Sequence, residues 1–243
     1  SVSNVETIVQ AEVTGFPDGD NKDRSIVVAD VDADGLPDIL ATDVKANTVV
    51  LYRQSPGVGL TRPESFSAFK KPKQVAVGRW RNGGDQSSPD VFVLSEDEKA
   101  VGVTKFDVGT GRLGFPAPLP IRTSGATPVA MGFVDLSPSA PGSGGRLAVV
   151  VKDRRDPTLE LHSPPQTGSE PSAESVVAFP LKDVSRPPQS VLSADVDHDG
   201  LVDILLFTPN EPMIMLRATG DANPEKAFEV LTDKQMPQFG LVQ

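Results

Sequence analysis

The sequence predicts an all-β fold on three observations. Short β-branched and apolar runs are bounded by turn residues, no amphipathic helix of useful length is present, and weakly similar segments recur about every fifty residues. A period of that length built from short strands is what four-stranded antiparallel propeller blades produce. The expected architecture is therefore a β-propeller with about four blades in this chain.

The repeat is clearest at two acidic loops, Asp30-Val-Asp-Ala-Asp-Gly-Leu-Pro-Asp38 and Asp195-Val-Asp-His-Asp-Gly-Leu-Val-Asp203. Each places carboxylates at positions 1, 3, 5 and 9 around a glycine at position 6. Calcium takes six to eight oxygen ligands at roughly 2.3–2.6 Å, so a loop that holds it must turn sharply and present many oxygens to one point. Gly35 and Gly200 permit the turn. The expected ligands are Asp30, Asp32, Asp34, Asp38 and the Leu36 carbonyl in one loop, and Asp195, Asp197, Asp199, Asp203 and the Leu201 carbonyl in the other. Two Ca2+ sites follow, because four carboxylates held together without a cation would repel.

An EF-hand opens in the same way but closes on a glutamate at position 12 and is flanked by helices. Here position 12 is Ala41 or Leu206, and the flanks, such as Ser25-Ile-Val-Val-Ala29 and Ile204-Leu-Leu-Phe207, read as buried strands. The loops therefore join strands. Asp-Gly clusters also occur as solvated hairpin turns. Agreement of two loops at all five informative positions favours an ion, although an ion that only holds the loop's shape fits equally well.

Weaker copies extend the pattern. Gln74-Val-Ala-Val-Gly-Arg-Trp-Arg and Pro128-Val-Ala-Met-Gly-Phe-Val-Asp align with the first loop and its leading strand, and Asp30, Arg79, Phe133 and Asp195 are then equivalent, at spacings of 49, 54 and 62 residues. Within a repeat the expected strands are an inner one, the loop, a second, a third such as Thr48–Arg53 or Met213–Ala218, and an outer one such as Val176–Phe179 or Ala227–Leu231. Residues 1–243 read as a single propeller region with repeats at roughly 24–72, 73–127, 128–187 and 188–236. Val5–Val13 and Phe239–Val242 read as strands of partial blades, so the expectation is a segment of a larger propeller that depends on neighbouring sequence or another subunit.

Val75-Ala-Val-Gly78, Val129-Ala-Met-Gly132 and the two Asp-x-Asp-x-Asp-Gly-x-x-Asp loops resemble the FG-GAP or VCBS repeat family, the blades of integrin alpha-subunit propellers and of many secreted bacterial proteins. The resemblance implies calcium sites between the first two strands of a blade and no single activity. Two repeats depart from it. In the second, Arg79 and Arg81 replace the first carboxylates while Asp85 and Asp90 remain, and a guanidinium there can neutralise a carboxylate in place of a metal. In the third, Arg146 is expected at position 9 with Asp135 as the nearby acid, and no ion is expected. Drifted loops with solvated arginines explain both departures equally well.

The formal charge of −10 is concentrated: eight of the 33 acids lie in the two loops, and two calcium ions would bring the net to about −6. No basic stripe or aromatic-basic interleaving suits nucleic acid. Lys70-Lys71-Pro72-Lys73 is an isolated basic patch, and no apolar run approaches the eighteen or so residues that span a bilayer. With no cysteine there are no disulfides and no cysteine-based zinc sites. Calcium sites of this kind fill where calcium is millimolar, which favours an extracellular, cell-surface or periplasmic location. Ser137–Gly145 and Ser163–Ser175 read as surface insertions.

No nucleophile and base set stands out. The chain has only His162 and His198, no Gly-x-Ser-x-Gly elbow and no paired metal histidines. The expected function is a non-catalytic calcium-binding propeller acting as an adhesion, interaction or scaffold module, with a protein or a surface glycan as partner. A lectin-like glycan binder or a calcium-dependent carbohydrate lyase or hydrolase are the alternatives. Against both, the chain has a single tryptophan, Trp80, and a single tyrosine, Tyr52, each placed by its flanks in a strand and explained by core packing.

Overall fold

The computed structural model describes residues 15–16, 24–81, 88–136, 145–154, 156–166, 169–182, 184 and 186–231. The sequence readings at Val5–Val13, Asp85, Phe239–Val242 and most of Ser137–Gly145 lie outside these residues. The chain is an all-β propeller of four-stranded antiparallel blades. Helical turns among the described residues are confined to two 3-10 segments, Ala173–Ser175 and Pro224–Lys226.

The first blade is ordered β1 (Ile26–Ala29), β2 (Asp38–Asp43), β3 (Thr48–Tyr52) and β6 (Glu64–Ser67), with a small hairpin, β4 (Gln54–Ser55) and β5 (Gly59–Leu60), before its outer strand. The second has β7 (Gln74–Gly78), β8 (Asp90–Ser95) and β9 (Ala100–Asp107), and its outer edge is divided between β10 (Arg112–Leu113) and β11 (Ala117–Pro118), which both pair with β9. The third runs β12 (Thr127–Asp135), β13 (Gly145–Lys152), β14 (Thr158–His162) and β15 (Val176–Pro180). The fourth runs β16 (Ser190–Ala194), β17 (Asp203–Phe207), β18 (Ile214–Ala218) and β19 (Phe228–Leu231).

Period-two alternation determines how the blades stack. On β8, Val91 and Val93 pack with Leu40 and Leu51 of the first blade, while Phe92 and Leu94 pack with Leu147 and Val149 of the third. On β13, Ala148 and Val150 turn the other way and meet Ile204 and Leu206 of the fourth. A second strand of a middle blade is thus covered on both faces. This is why Val91-Phe-Val-Leu94 and Leu147-Ala-Val-Val-Val151 read as unbroken apolar runs rather than alternating ones. Each such Leu, Val or Phe contributes about 1.5–3 kcal/mol of transfer free energy.

The inner strands approach closely because two of them carry glycine. A Cβ on Gly78 would lie 2.0 Å from the Phe133 ring, and one on Gly132 would lie 2.8 Å from the Val191 carbonyl oxygen. Phe133 of the third blade thus fills the space that Gly78 leaves in the second. The Gln74 side chain ties three inner strands, accepting from Met131 N at 2.7 Å and donating to the Gln189 carbonyl at 2.9 Å.

In the third blade the structure corrects the sequence alignment. Ala29, Gly78 and Ala194 pair across the sheet with Asp38, Asp90 and Asp203, but Gly132 pairs with Ala148, so Arg146 is not at position 9. The strand does not turn after Gly132. It continues through Asp135 because Val134 is buried and Phe133 packs against its neighbours, which extends the ladder to Asp135 opposite Gly145. Arg146 is half-buried there, donates to the Gly145 carbonyl at 3.0 Å, and is pushed down from the usual guanidinium pKa by desolvation.

Candidate metal centres

Each aspartate loop leaves the end of an inner strand and returns into the second strand of the same blade. The backbone follows the same course in both. Ala33 and Gly35 have φ of 63° and 86°, and His198 and Gly200 have 61° and 86°. Two left-handed residues, at positions 4 and 6, fold the loop back so that successive N–H groups point inward. Gly35 N donates to Asp30 Oδ2 at 3.0 Å, and Gly200 N donates to Asp195 Oδ2 at 3.1 Å.

Three carboxylates then converge in each loop. Asp30, Asp32 and Asp38 each offer an oxygen within 4.8 Å of the others, and Asp195, Asp197 and Asp203 do the same. The position-5 aspartates are not in these triads. Asp34 Oδ1 accepts from Leu36 N, and Asp199 Oδ1 from Leu201 N, each at 2.8 Å, which sets the turn that follows and orients the position-7 residue.

The position-9 aspartate has a second task that the sequence reading missed. Asp38 is fully buried, accepts Val31 N at 2.9 Å and accepts Gln54 N at 2.9 Å from beyond the third strand. Asp203 repeats this with Val196 N at 3.0 Å and Ala218 N at 2.9 Å. One carboxylate thereby ties loop, second strand and third strand together. The recurrence of Asp38, Asp90 and Asp203 at the start of three second strands was the available signal.

The electrostatics of the first loop favour added positive charge. Burial pushes the Asp32 carboxyl up, and repulsion from Asp38 and Asp34 adds to it, against a backbone N–H from Asp34 and the Arg53 guanidinium. Asp38 is also raised by burial, opposed by the N–H groups of Gln54 and Val31. Arg53 NH1 stands 3.8 Å from Asp32 Oδ2 while its main bond is to Glu64 Oε1 at 2.7 Å. In the fourth blade no described cation forms an ion pair with the loop aspartates. There the buried Asp195 Oδ1 has no hydrogen-bond partner among the described residues. An all-oxygen donor set with a sharp turn suits calcium rather than a thiophilic or imidazole-seeking metal.

The second blade solves the same problem with a side chain. Asp90 accepts Trp80 N at 3.2 Å and Arg81 N at 2.8 Å on Oδ2, and Arg81 Nε at 2.7 Å on Oδ1, with Arg81 NH2 also bonded to Oδ1. Arg81 stands at position 3, where the other two loops have Asp32 and Asp197. The guanidinium occupies the role that a cation would have there.

No family model matches this chain, and no curated protein matches it. A solved structure does. The crystal structure of BBS1N in complex with ARL6DN, soaked with lead, superposes with a TM-score of 0.56 at 10% identity, over 85% of this chain and 56% of that one. The chain thus spans a little over half the length of that propeller domain, and the likeness is one of fold.

Three of the four remaining candidates, Tyr52, Trp80 and His162, are buried. Tyr52 lies in β3, and Trp80 lies two residues past β7 rather than within a strand; both are buried. Trp80 packs edge-on against Phe92 with ring centroids 5.6 Å apart and donates to the His162 carbonyl at 3.0 Å. His198 is exposed on the fourth-blade loop. His162 is 2% exposed, with Nε2 at 3.5 Å from the fully buried Glu160. Glu160 accepts Thr123 N at 2.8 Å and Arg122 N at 3.0 Å, holding the connection between the second and third blades onto β14. Both members of this pair are buried.

Proposed function

We propose that this chain is a non-catalytic, calcium-binding β-propeller that serves as a protein-interaction or adhesion module, related to the FG-GAP or VCBS repeats it resembles and working where calcium is millimolar. The observation that carries the reading is the paired geometry of the aspartate loops: the same backbone course, the same converging triad and, in the fourth blade, a buried carboxylate oxygen without a donor. Asp30, Asp32 and Asp38, with Asp34 and the Leu36 carbonyl, would hold one ion; Asp195, Asp197 and Asp203, with Asp199 and the Leu201 carbonyl, would hold the other. Bound calcium offsets the carboxylate repulsion and rigidifies the link between first and second strands.

A protein partner fits better than a glycan, because both candidate stacking rings, Trp80 and Tyr52, are buried. The solved propeller with a similar fold was crystallised with a protein, ARL6DN. Isothermal titration should detect two calcium ions per chain, and calcium should raise the melting temperature that a chelator lowers. Asp32→Ala should remove one ion and leave the other. Absence of uptake at millimolar calcium would overturn the assignment.

A further inference from the structure

We infer that a basic mouth on the propeller face opposite the aspartate loops is a docking site for a short acidic peptide segment of a partner protein, an inference that rests on the protein-interaction reading above. The aspartate loops follow the ends of β1 and β16, whereas the mouth lies where β7, β12 and β16 begin. It is a cavity of about 910 Å³, within the range of roughly 300–1,000 Å³ typical of ligand sites. Lys73, Lys99, Lys152 and Arg154 line it, against Glu96 and Asp153.

The charges are not equivalent. Lys73 pairs with Glu96 and donates to the Val129 carbonyl at 3.2 Å, so these two cancel and hold the second blade to the third. Asp153 stays in the lining as a second carboxylate, beside Lys152 and Arg154. Lys99, Lys152 and Arg154 are exposed and form no ion pair among the described residues. Lys99 projects from the turn between β8 and β9, at φ 50°, and Lys152 and Arg154 stand at the end of β13. Four cations against two carboxylates therefore give this concavity a net positive charge of two on a chain whose formal charge is −10.

Distance separates this field from the acidic one. The five residues of β16 alone span about 16 Å at the usual strand rise, beyond the screening length of about 8 Å at physiological salt. The eight loop carboxylates do not cancel the mouth. They do limit what it can receive. A long polyanion extending past the rim meets a net negative body, whereas a segment bearing a few carboxylates fits within the positive region. Proline and glycine at the rim, Pro187, Pro188 and Gly125, leave main chain rather than bulky side chains beside that segment.

The test uses the full chain and three probes: a fluorescein-labelled octapeptide with four glutamates spaced by glycines, the same peptide with glutamine for glutamate, and a sulfated hexasaccharide. Anisotropy is read in millimolar calcium and again in chelator. The glutamate peptide should bind in both, the glutamine peptide about tenfold or more weaker, and Lys152→Glu with Arg154→Glu should weaken the glutamate peptide at least about tenfold. Lys99→Glu should act in the same direction, and unchanged melting curves should accompany both variants. Binding that ignores these reversals, or no binding of the glutamate peptide, overturns the proposal and leaves two titrated calcium ions as independent support for the metal assignment. Preference for the hexasaccharide over the peptide overturns the docking site and the protein-partner reading together.

Discussion

Position 4 of each aspartate loop is occupied by a residue with a Cβ, Ala33 or His198, in a left-handed conformation that costs an L-residue roughly 1 kcal/mol relative to glycine. Neither side chain is needed by the carboxylate triad. Ala33→Gly should therefore be neutral to stabilising by up to about 1 kcal/mol, the extra unfolded-state freedom of glycine offsetting part of the gain. Denaturant unfolding in chelator checks this, and a loss above about 0.5 kcal/mol would contradict the backbone assignment. Glu160 is a second residue with a measurable signature. Burial pushes its carboxyl up, but His162 and the N–H groups of Thr123 and Arg122 outweigh that and hold it below the usual value of 4.5. A lowered folded pKa means that the unfolded chain binds the proton more readily, so the stabilisation is complete above the ordinary glutamate pKa and is lost as pH falls through the folded one. Acid titration of stability should show this loss. In Glu160→Gln that part of the acid limb should vanish, with a cost of about 1–3 kcal/mol at neutral pH from setting an amide donor against backbone donors.

At the scale of the element, the second blade sets the Arg81 guanidinium on its position-9 carboxylate, Asp90, and the inner strands interlock through missing Cβ atoms. Arg81→Ala leaves Asp90, 2% exposed, with backbone N–H partners but no countercharge. Because the guanidinium is 45% exposed, solvent screens part of the pair, and the expected cost is about 1–2 kcal/mol rather than the larger value of a sealed pair. Calcium should not restore that loss, which distinguishes this loop from the other two. Gly78→Ala forces a Cβ into the Phe133 ring and should cost at least about 1–3 kcal/mol. Combining it with Phe133→Ala should cost less than the sum of the two single changes, and a double-mutant cycle measures the difference. Much of this was legible in the chain: the glycines of Val-Ala-Val-Gly, the arginine standing for an aspartate and the third and outer strands fall where pattern placed them. The third-blade register was not. A strand that continues and one that turns differ only in whether Phe133 and Val134 find a neighbour to pack on, and that depends on Gly78, over fifty residues away in sequence. The bonds from Asp38 to Gln54 and from Asp203 to Ala218 were hidden for the same reason, being contacts between strands rather than within a loop.

On the scale of the whole molecule, stability passes from blade to neighbour through three core clusters, joining the first blade to the second, the second to the third and the third to the fourth. A row of similar units coupled to nearest neighbours behaves approximately as a sum of unit and interface terms, so a perturbation in one unit is felt most there. The two aspartate loops belong to the first and fourth blades. The second blade has Arg81 on Asp90, and the third has a continued strand in place of a loop at Phe133. The middle blades are also covered on both faces, whereas β1 and β16 expose Val28 at 63% and Leu192 at 57%. Among the described residues, the first and fourth blades each share one core cluster with a neighbour, and these are the blades whose loops carry the aspartate triads. Calcium should accordingly act on the ends of the row. Hydrogen exchange followed with calcium and with chelator should show faster exchange on chelation at β1, β2, β16 and β17, and little change at β8, β9, β13 and β14. Uniform acceleration across all four blades would mean that the propeller opens as one unit and that the nearest-neighbour description is wrong. Acceleration confined to the second and third blades would instead remove the basis for placing the ions in the aspartate loops.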